Sequence, residues 1–210
     1  MARVDDYQMS FDLAAQKIAE KNFVDVARRA GATAADDGES LELSYFGRPV
    51  RVEREPMKVY ALDEGPELPL VEQALILHYL ANADGSEPTG EWITFREVSA
   101  GEFYWSAFVK RAKAPLTGFF GGQPKLLAQL APLVGGRVVD AAGDVAVEVR
   151  ALPRVPLLLQ IWEGDDEFPA DGNVLLDKNV EGYFNTEDIA LLSGLPIYKM
   201  MALARSRPKA

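Results

Sequence analysis

The chain has 210 residues, of which 48% are hydrophobic and 26% are charged, and its formal net charge is -10 at pH 7. Because an acidic surface repels phosphate groups, this charge disfavours general nucleic-acid binding and association with anionic membrane surfaces. The sequence contains no cysteine, which excludes disulfides, thiolate zinc sites, cysteine-ligated iron–sulfur clusters and cysteine nucleophiles.

The N-terminal part of the chain has the pattern of one long amphipathic helix. Apolar residues recur at three- and four-residue spacing from Phe11 to Ala30. Ser10 is the predicted N-cap of this helix and Gly31 its C-terminal stop. Alternating apolar and polar residues on either side of Gly47 then predict a β-hairpin over residues 41–53.

Helical patterns dominate the middle of the chain. Pro69 suits the first turn of an apolar helix that is predicted over residues 70–81. A short strand is predicted at 92–95, and an aromatic-rich helix follows at 103–113. Pro115 is expected to end this helix because proline lacks the amide hydrogen. Residues 118–122 are glycine-rich and predict a flexible loop before a helix at 124–133.

The last third of the chain predicts strands followed by short helices. A hairpin is predicted over residues 137–149, and the continuous apolar run 155–162 is typical of a strand covered on both faces. A further strand is predicted at 174–176. Asn185 and Asp188 resemble a helix-capping pair, and the tail from about residue 205 is expected to fray.

These elements predict the fold class and the domain organisation. Since no linker, internal repeat or low-complexity tract interrupts the chain, residues 1–210 are predicted to form a single domain. Since the strands come in hairpins, we expect an α+β fold, with a mixed or largely antiparallel sheet and helices packed on it. The N-terminus lacks the apolar region of a signal peptide and no stretch reaches about 18 apolar residues, so a cytoplasmic protein without a membrane segment is expected.

An acidic segment runs from Trp162 to Asp177. Clustered carboxylates repel one another, and they either raise some pKa values or recruit a hard cation such as Mg²⁺ or Ca²⁺. The predicted metal ligands are Asp165, Asp166, Glu167 and Asp177. The alternative is a solvated acidic loop, although Phe168-Pro169 within it suggests a loop that folds back onto the protein.

His78 is the only histidine, and it follows Val71, Ala74 and Leu75 on one predicted helix face. A single histidine can be a general base, a metal ligand or an axial ligand of a tetrapyrrole metal. A Ser-His-Asp triad would have to include it, although the G-x-S-x-G motif is absent. The alternative is a core histidine bonded to a backbone carbonyl.

Aromatic residues are dense between positions 92 and 120. They could line an apolar ligand pocket, or they could simply pack the core. The residues predicted to contact a bulky cofactor such as a corrinoid or haem are His78, Tyr79, Trp105, Phe119 and Trp162.

Several segments taken together resemble a known family. They are Leu75 to Leu80, Trp92 to Glu97, Leu152 to Pro156, Trp162 to Ala170 and Val174 to Asp177. In this order they resemble DUF3786, a bacterial and archaeal domain of unknown function, over roughly Tyr7 to Leu192. The resemblance implies an anaerobic setting. Some members carry an added cysteine-rich iron–sulfur module and are labelled as iron–sulfur proteins. That label cannot apply to this chain, because it contains no cysteine.

Three functions remain open from the sequence. The first is a binding or accessory protein for a bulky cofactor-like ligand, a corrinoid or haem, in anaerobic metabolism. The second is a metal-dependent hydrolase or lyase that uses the carboxylates from Asp165 to Asp177. The third is a protein-interaction module whose acidic loop docks a basic partner.

Overall fold

The structure is a computed structural model that describes residues 4–206. Its helices are α1 (Val4–Ala19), α2 (Phe23–Ala30), α3 (Leu70–Asn82), α4 (Gly101–Phe108), α5 (Ala114–Phe120), α6 (Pro124–Leu130) and α7 (Thr186–Ser206). Its strands are β1 (Thr33–Ala34), β2 (Ser40–Tyr45), β3 (Arg48–Glu53), β4 (Lys58–Ala61), β5 (Trp92–Ile93), β6 (Gly136–Val138), β7 (Val145–Leu152), β8 (Val155–Trp162) and β9 (Asp171–Asp177).

The predicted N-terminal helix is two helices. The chain leaves α1 after Ala19, and Asn22 begins α2 by accepting hydrogen bonds from the amides of Val24 and Asp25. This side-chain cap makes a new helix start more favourable than continuation of the old helix. Ser10 is therefore not an N-cap, because it lies in the interior of α1. Gly31 does end α2, in the left-handed conformation with φ 65°.

The first sheet has the strand order β1-β2-β3-β4, and every pair is antiparallel. The predicted hairpin is confirmed as β2 and β3. Phe46 and Gly47 connect the two strands and both have positive φ, 48° and 80°. Two consecutive residues with positive φ match the right-handed twist of a tight hairpin.

The second sheet has the order β5-β9-β8-β7-β6 and is also antiparallel throughout. The predicted hairpin over residues 137–149 is confirmed by β6 and β7. Strand β8 lies at the centre, and all of its residues except Trp162 are buried. Its continuous apolar run is thus explained by cover on both faces.

The two sheets meet where their turns touch. The amide of Phe46 donates to the carbonyl of Ala151, with 2.9 Å between nitrogen and oxygen. A Cβ atom on Gly135 would lie 2.7 Å from the nitrogen of Gly47, so the two backbones are in direct contact. One hydrophobic cluster includes buried residues of both sheets and of the helices. The predicted α+β class with antiparallel hairpins is confirmed, with two sheets where one was expected.

The helical middle of the chain is longer than predicted. A π-helical segment at residues 109–113 joins α4 to α5, and Pro115 lies in the first turn of α5 without ending the helical path. A π-helical turn is wider than an α-helical one, and Pro115 lies two residues after the last residue of this segment. The predicted loop at 118–122 is also corrected, because residues 118–120 form the last turn of α5.

The C-terminal helix α7 is one helix of 21 residues where short helices were predicted. It begins after Asn185, whose Oδ1 accepts from the amide of Asp188 as the capping pair predicts. Residues 205 and 206 belong to α7, and the rest of the tail predicted to fray lies outside the described residues. Within residues 4–206, no helix has both the length and the apolar character needed to cross a membrane.

Candidate functional site

Three polar side chains from three helices form a continuous chain of contacts. Ser10 Oγ of α1 lies 3.1 Å from His78 Nε2 of α3. On the other side of the ring, His78 Nδ1 lies 2.9 Å from Asp188 Oδ2 of α7. The order serine, imidazole, carboxylate is that of a nucleophile, its base and the group that orients the base.

Helix packing brings these residues together. Helix α1 packs along α3, which sets Ser10 opposite His78. Asp188 lies in the first turn of α7, where the positive end of the helix dipole stabilises a carboxylate. The Asn185 cap fixes the start of that turn, so the position of Asp188 follows from local structure at the helix end.

Asp188 changes the ionisation of His78. The hydrogen bond to Asp188 raises the pKa of His78 above its ordinary value of 6.5, while partial burial and Lys17 act in the opposite direction. The side chain of His78 is 24% exposed and that of Asp188 is 11% exposed. His78 is therefore partly buried, and its partner is a carboxylate rather than the backbone carbonyl of the alternative interpretation.

Two cavities lie beside His78, and both are also lined by Asn185. The Lys17 cavity has a volume of about 470 Å³, and its remaining lining residues are Leu13, Ala14, Gln16, Lys17, Glu20, Ala81 and Asn82. The Arg111 cavity has a volume of about 320 Å³, and its remaining lining residues are Asp6, Tyr7, Ser10, Val71, Ala74, Leu75, Arg111, Glu187, Asp188 and Leu191. Volumes of this size suit small molecules.

Tyr79 follows His78 in the sequence but points into the core. It is fully buried, its hydroxyl donates to the carbonyl of Ala30, and its ring stacks on Tyr183 at 4.9 Å between centroids. Burial raises the pKa of the Tyr79 hydroxyl well above its ordinary value. The residue lines neither of the two cavities.

The other predicted cofactor contacts also lie away from these cavities. The ring of Trp105 stacks on Phe108 at 5.3 Å and carries the guanidinium of Arg96 on its face. Phe119 packs edge-to-face with its neighbour in α5, and Trp162 is the last residue of β8. Of the five residues predicted to contact a tetrapyrrole, His78 alone lines the two cavities.

Asp177 is separated from the other three predicted metal ligands. It pairs with Trp92 at one end of β9, while the acidic loop enters β9 at Asp171. Six residues of extended strand span about 20 Å. The Asp177 carboxylate is buried and accepts hydrogen bonds from the amides of Thr89, Gly90 and Asn179. It organises the loop before β5.

The remaining predicted ligands lie in an exposed loop. Asp165 Oδ1 accepts from the amides of Glu167 and Phe168, and these bonds lower the pKa of its carboxyl. Phe168 is 68% exposed, so the loop does not fold back onto the protein as Phe168-Pro169 suggested. Within residues 4–206, no group of three or more His, Cys, Asp or Glu side chains is arranged to hold a metal ion.

Sequence reasoning missed three residues of the site. Ser10 and Asp188 were interpreted only as helix-capping residues, and Arg111 was not singled out. One signal was available, because a histidine on an apolar helix face needs a polar partner when it is buried. That signal predicts the existence of a partner but not its position in the chain.

The fold and site define an α+β protein with two antiparallel sheets and a polar site between α1, α3 and α7. The chain belongs to the DUF3786 family, described as a domain of unknown function, whose model matches residues 22–199. His78, Arg111 and Asp188 lie within the matched range and Ser10 precedes it. No curated protein and no solved structure is significantly similar to the chain.

Proposed function

We propose that the protein is a ligand-binding protein whose ligand is held at His78. The observation that carries this proposal is the position of His78, which is oriented by Asp188 and lines two cavities of small-molecule size. An oriented, partly buried imidazole beside a cavity supplies a directional polar contact for a ligand.

Binding of a ligand at the site can be detected through the NMR signal of the single histidine. Labelled protein gives one imidazole signal, and a ligand bound at the site shifts this signal saturably. Because His78→Gln has no imidazole signal, libraries of small polar molecules are screened by thermal shift against both the wild-type protein and this variant. If every ligand found binds His78→Gln with the same affinity as the wild-type protein, the proposal is contradicted.

In the corrinoid or haem form of this proposal, His78 would be the residue that holds the tetrapyrrole metal, and its contact with Ser10 would be given up. This form predicts a shifted visible absorption band on titration with haem or cobalamin, and loss of that band in His78→Gln. The aromatic residues proposed as further contacts lie elsewhere, so the geometry favours a smaller and more polar ligand. Unchanged spectra with both compounds remove the tetrapyrrole form and leave the general proposal intact.

A second candidate function is hydrolysis through Ser10, His78 and Asp188, which the two contacts at 3.1 Å and 2.9 Å favour. Ser10 Oγ would attack an acyl carbon and pass its proton to His78 Nε2, which then protonates the leaving group before water releases the acyl group. Ser10 lies beyond the first four residues of α1, so its own amide is used within the helix. Side chains such as Asn185 and Arg111 would therefore have to stabilise the oxyanion.

Labelling distinguishes hydrolysis from binding. An aryl sulfonyl fluoride is expected to modify Ser10, as located by peptide mass spectrometry, and Ser10→Ala is expected to abolish this. Ser106→Ala is the matched control, since Ser106 is exposed on α4. Because a general base must be neutral, labelling should rise as pH increases through the raised pKa of His78. Equal labelling of Ser10 and Ser106 would contradict a hydrolytic role.

We further propose a cytoplasmic setting in anaerobic metabolism, supported by the cysteine-free acidic sequence and the family resemblance. Docking of a basic protein partner on the acidic loop is supported by Phe168, which is exposed among carboxylates. Cell fractionation tests the location. A salt-sensitive pull-down that Phe168→Ala weakens tests the partner.

A further inference from the structure

Arg111 lines the Arg111 cavity and belongs to the π-helical segment between α4 and α5. Its backbone is held firmly, because α7 packs against it at Gly194. A Cβ atom on Gly194 would lie 2.3 Å from the carbonyl oxygen of Arg111. A π-helical turn of this kind often marks a functional position, since it redirects the side chains that it carries.

The guanidinium of Arg111 forms no hydrogen bond or ion pair with the side chains and backbone that the structure describes. Other arginines on the surface do form such pairs, as Arg48 does with Asp63 and Arg137 with Glu148. An arginine that faces a cavity and keeps its planar donors available is suited to bidentate binding of an oxyanion.

Further hydrogen-bond donors face the same space. Asn185 uses Oδ1 to accept from the amide of Asp188, which leaves its amino group as a donor. When His78 is protonated, its Nε2 hydrogen is directed at Ser10 Oγ at 3.1 Å, so the hydroxyl hydrogen of Ser10 is available to a ligand. The cavity thus presents an arginine, an amide and a hydroxyl as donors.

The remaining walls limit which anion fits. One wall is apolar and consists of Val71, Ala74, Leu75 and Leu191. Carboxylates also line the cavity at Asp6, Glu187 and Asp188. Like charges repel, so a multiply charged anion such as phosphate is disfavoured relative to a single carboxylate.

We propose that the Arg111 cavity binds a small monocarboxylate with an apolar body, and that Arg111 is the residue that recognises the carboxylate. This inference rests on the proposed ligand binding at His78, and it adds the chemical class of the ligand. The ligand carboxylate faces the guanidinium of Arg111 and its apolar body lies on the wall formed by α3 and α7.

The test uses benzoate as the probe and benzamide as its uncharged isostere, each titrated into the full-length protein. The imidazole signal of His78 reports occupancy of the site, because the sequence contains one histidine. Benzoate is expected to shift this signal saturably with a dissociation constant at least about tenfold lower than that of benzamide. Inorganic phosphate is expected to bind more weakly than benzoate.

Variants assign the preference to Arg111. Arg111→Gln is expected to bind benzoate no better than benzamide, and Arg111→Lys to keep part of the preference because it keeps a point charge. Lys110→Gln is the matched control, since it removes one positive charge from the same π-helical segment at an exposed position. It should leave the preference intact. Thermal unfolding of each variant checks that the fold is retained.

The possible failures are distinguishable. If benzamide binds as well as benzoate, or if Arg111→Gln keeps the preference, the carboxylate inference is overturned while binding at His78 stands. If neither probe shifts the His78 signal of the wild-type protein, the carboxylate inference is overturned, and screening with other ligand classes then decides the general proposal.

Discussion

At the scale of single residues, His78 is the most informative side chain, because its pKa depends on the hydrogen bond to the carboxylate of Asp188. Asp188 at 2.9 Å favours the charged imidazolium. We expect NMR titration of the single histidine to give a pKa above 6.5, and Asp188→Asn to lower it. A wild-type pKa at or below 6.5 would contradict the hydrogen bond to Asp188.

The same shift predicts how stability depends on pH. The folded-state pKa of His78 is raised above its unfolded value, so the charge interaction contributes fully below about 6.5 and is lost as pH rises through the raised pKa. The difference in unfolding free energy between wild type and His78→Gln should therefore be larger at low pH. Denaturant unfolding at several pH values measures it, and a difference that grows with pH would contradict this linkage.

Asp177, one of the predicted metal ligands, has a carboxylate that accepts several hydrogen bonds within the protein. The residue is 1% exposed, and its carboxylate accepts hydrogen bonds from three backbone amides and from the hydroxyl of Thr89. Asp177→Asn turns an acceptor oxygen into a donor that faces these amides, and we expect a loss of about 2 to 3 kcal/mol in unfolding free energy.

Asp171→Asn is the matched control for Asp177→Asn on the same strand. Asp171 is exposed and pairs with Lys113 at 3.0 Å. Replacement of an exposed ion pair of this kind should cost less than about 1 kcal/mol. Denaturant unfolding compares the two variants, and equal effects would show that the Asp177 hydrogen bonds add little stability.

At the scale of elements, the contact of α7 with the π-helical segment depends on one glycine. Gly194→Ala places a Cβ atom against the Arg111 carbonyl oxygen, which is backbone and cannot rotate away. We expect a loss of about 1 to 3 kcal/mol, measured by thermal or denaturant unfolding. The same change should alter ligand binding in the Arg111 cavity, since it displaces the segment that carries the arginine.

Gly118→Ala is the control for this prediction, because Gly118 lies in α5 and a Cβ atom added there would meet no heavy atom within 4 Å. Alanine is favoured over glycine in a helix by up to about 1 kcal/mol. This variant should be neutral or more stable. Destabilisation of both variants to the same extent would point to a general effect of alanine rather than to the Gly194 contact.

Local patterns predicted the hairpins well and the helix boundaries less well. The hairpin of β2 and β3 follows from alternation within a dozen residues, and the Asn185 cap follows from its own neighbours. The break between α1 and α2 was missed because the apolar periodicity continues across it. Only Asn22, the cap of α2, marks the break in the sequence. Pro115 was expected to end a helix, but the π-helical segment before it allows the helical path to continue.

At the scale of the whole molecule, the contact of the two sheets predicts cooperative unfolding. The hydrogen bond from Phe46 to Ala151 and the backbone contact of Gly47 with Gly135 join the sheets, and one hydrophobic cluster contains residues of both. We expect far- and near-ultraviolet circular dichroism to report one coincident denaturant transition, as a single domain predicts. Two separated transitions would indicate that the sheets fold independently.

The sequence by itself determined the fold class, the main hairpins, the buried central strand and the family resemblance. These features depend on periodicity and turn residues that lie close together in the chain, so local physical rules suffice to predict them. His78 was also recognised from the sequence, because it is the only histidine and lies on an apolar helix face.

Only the tertiary structure decided what surrounds that histidine. Ser10 and Asp188 lie 68 and 110 residues from His78 in sequence, and helix packing alone brings them to its two ring nitrogens. The same packing placed Arg111 at the neighbouring cavity, and the direction of β9 carried Asp177 away from the acidic loop. No local pattern contains these distances, because they depend on how α1 packs on α3 and on where the first turn of α7 lies in the fold.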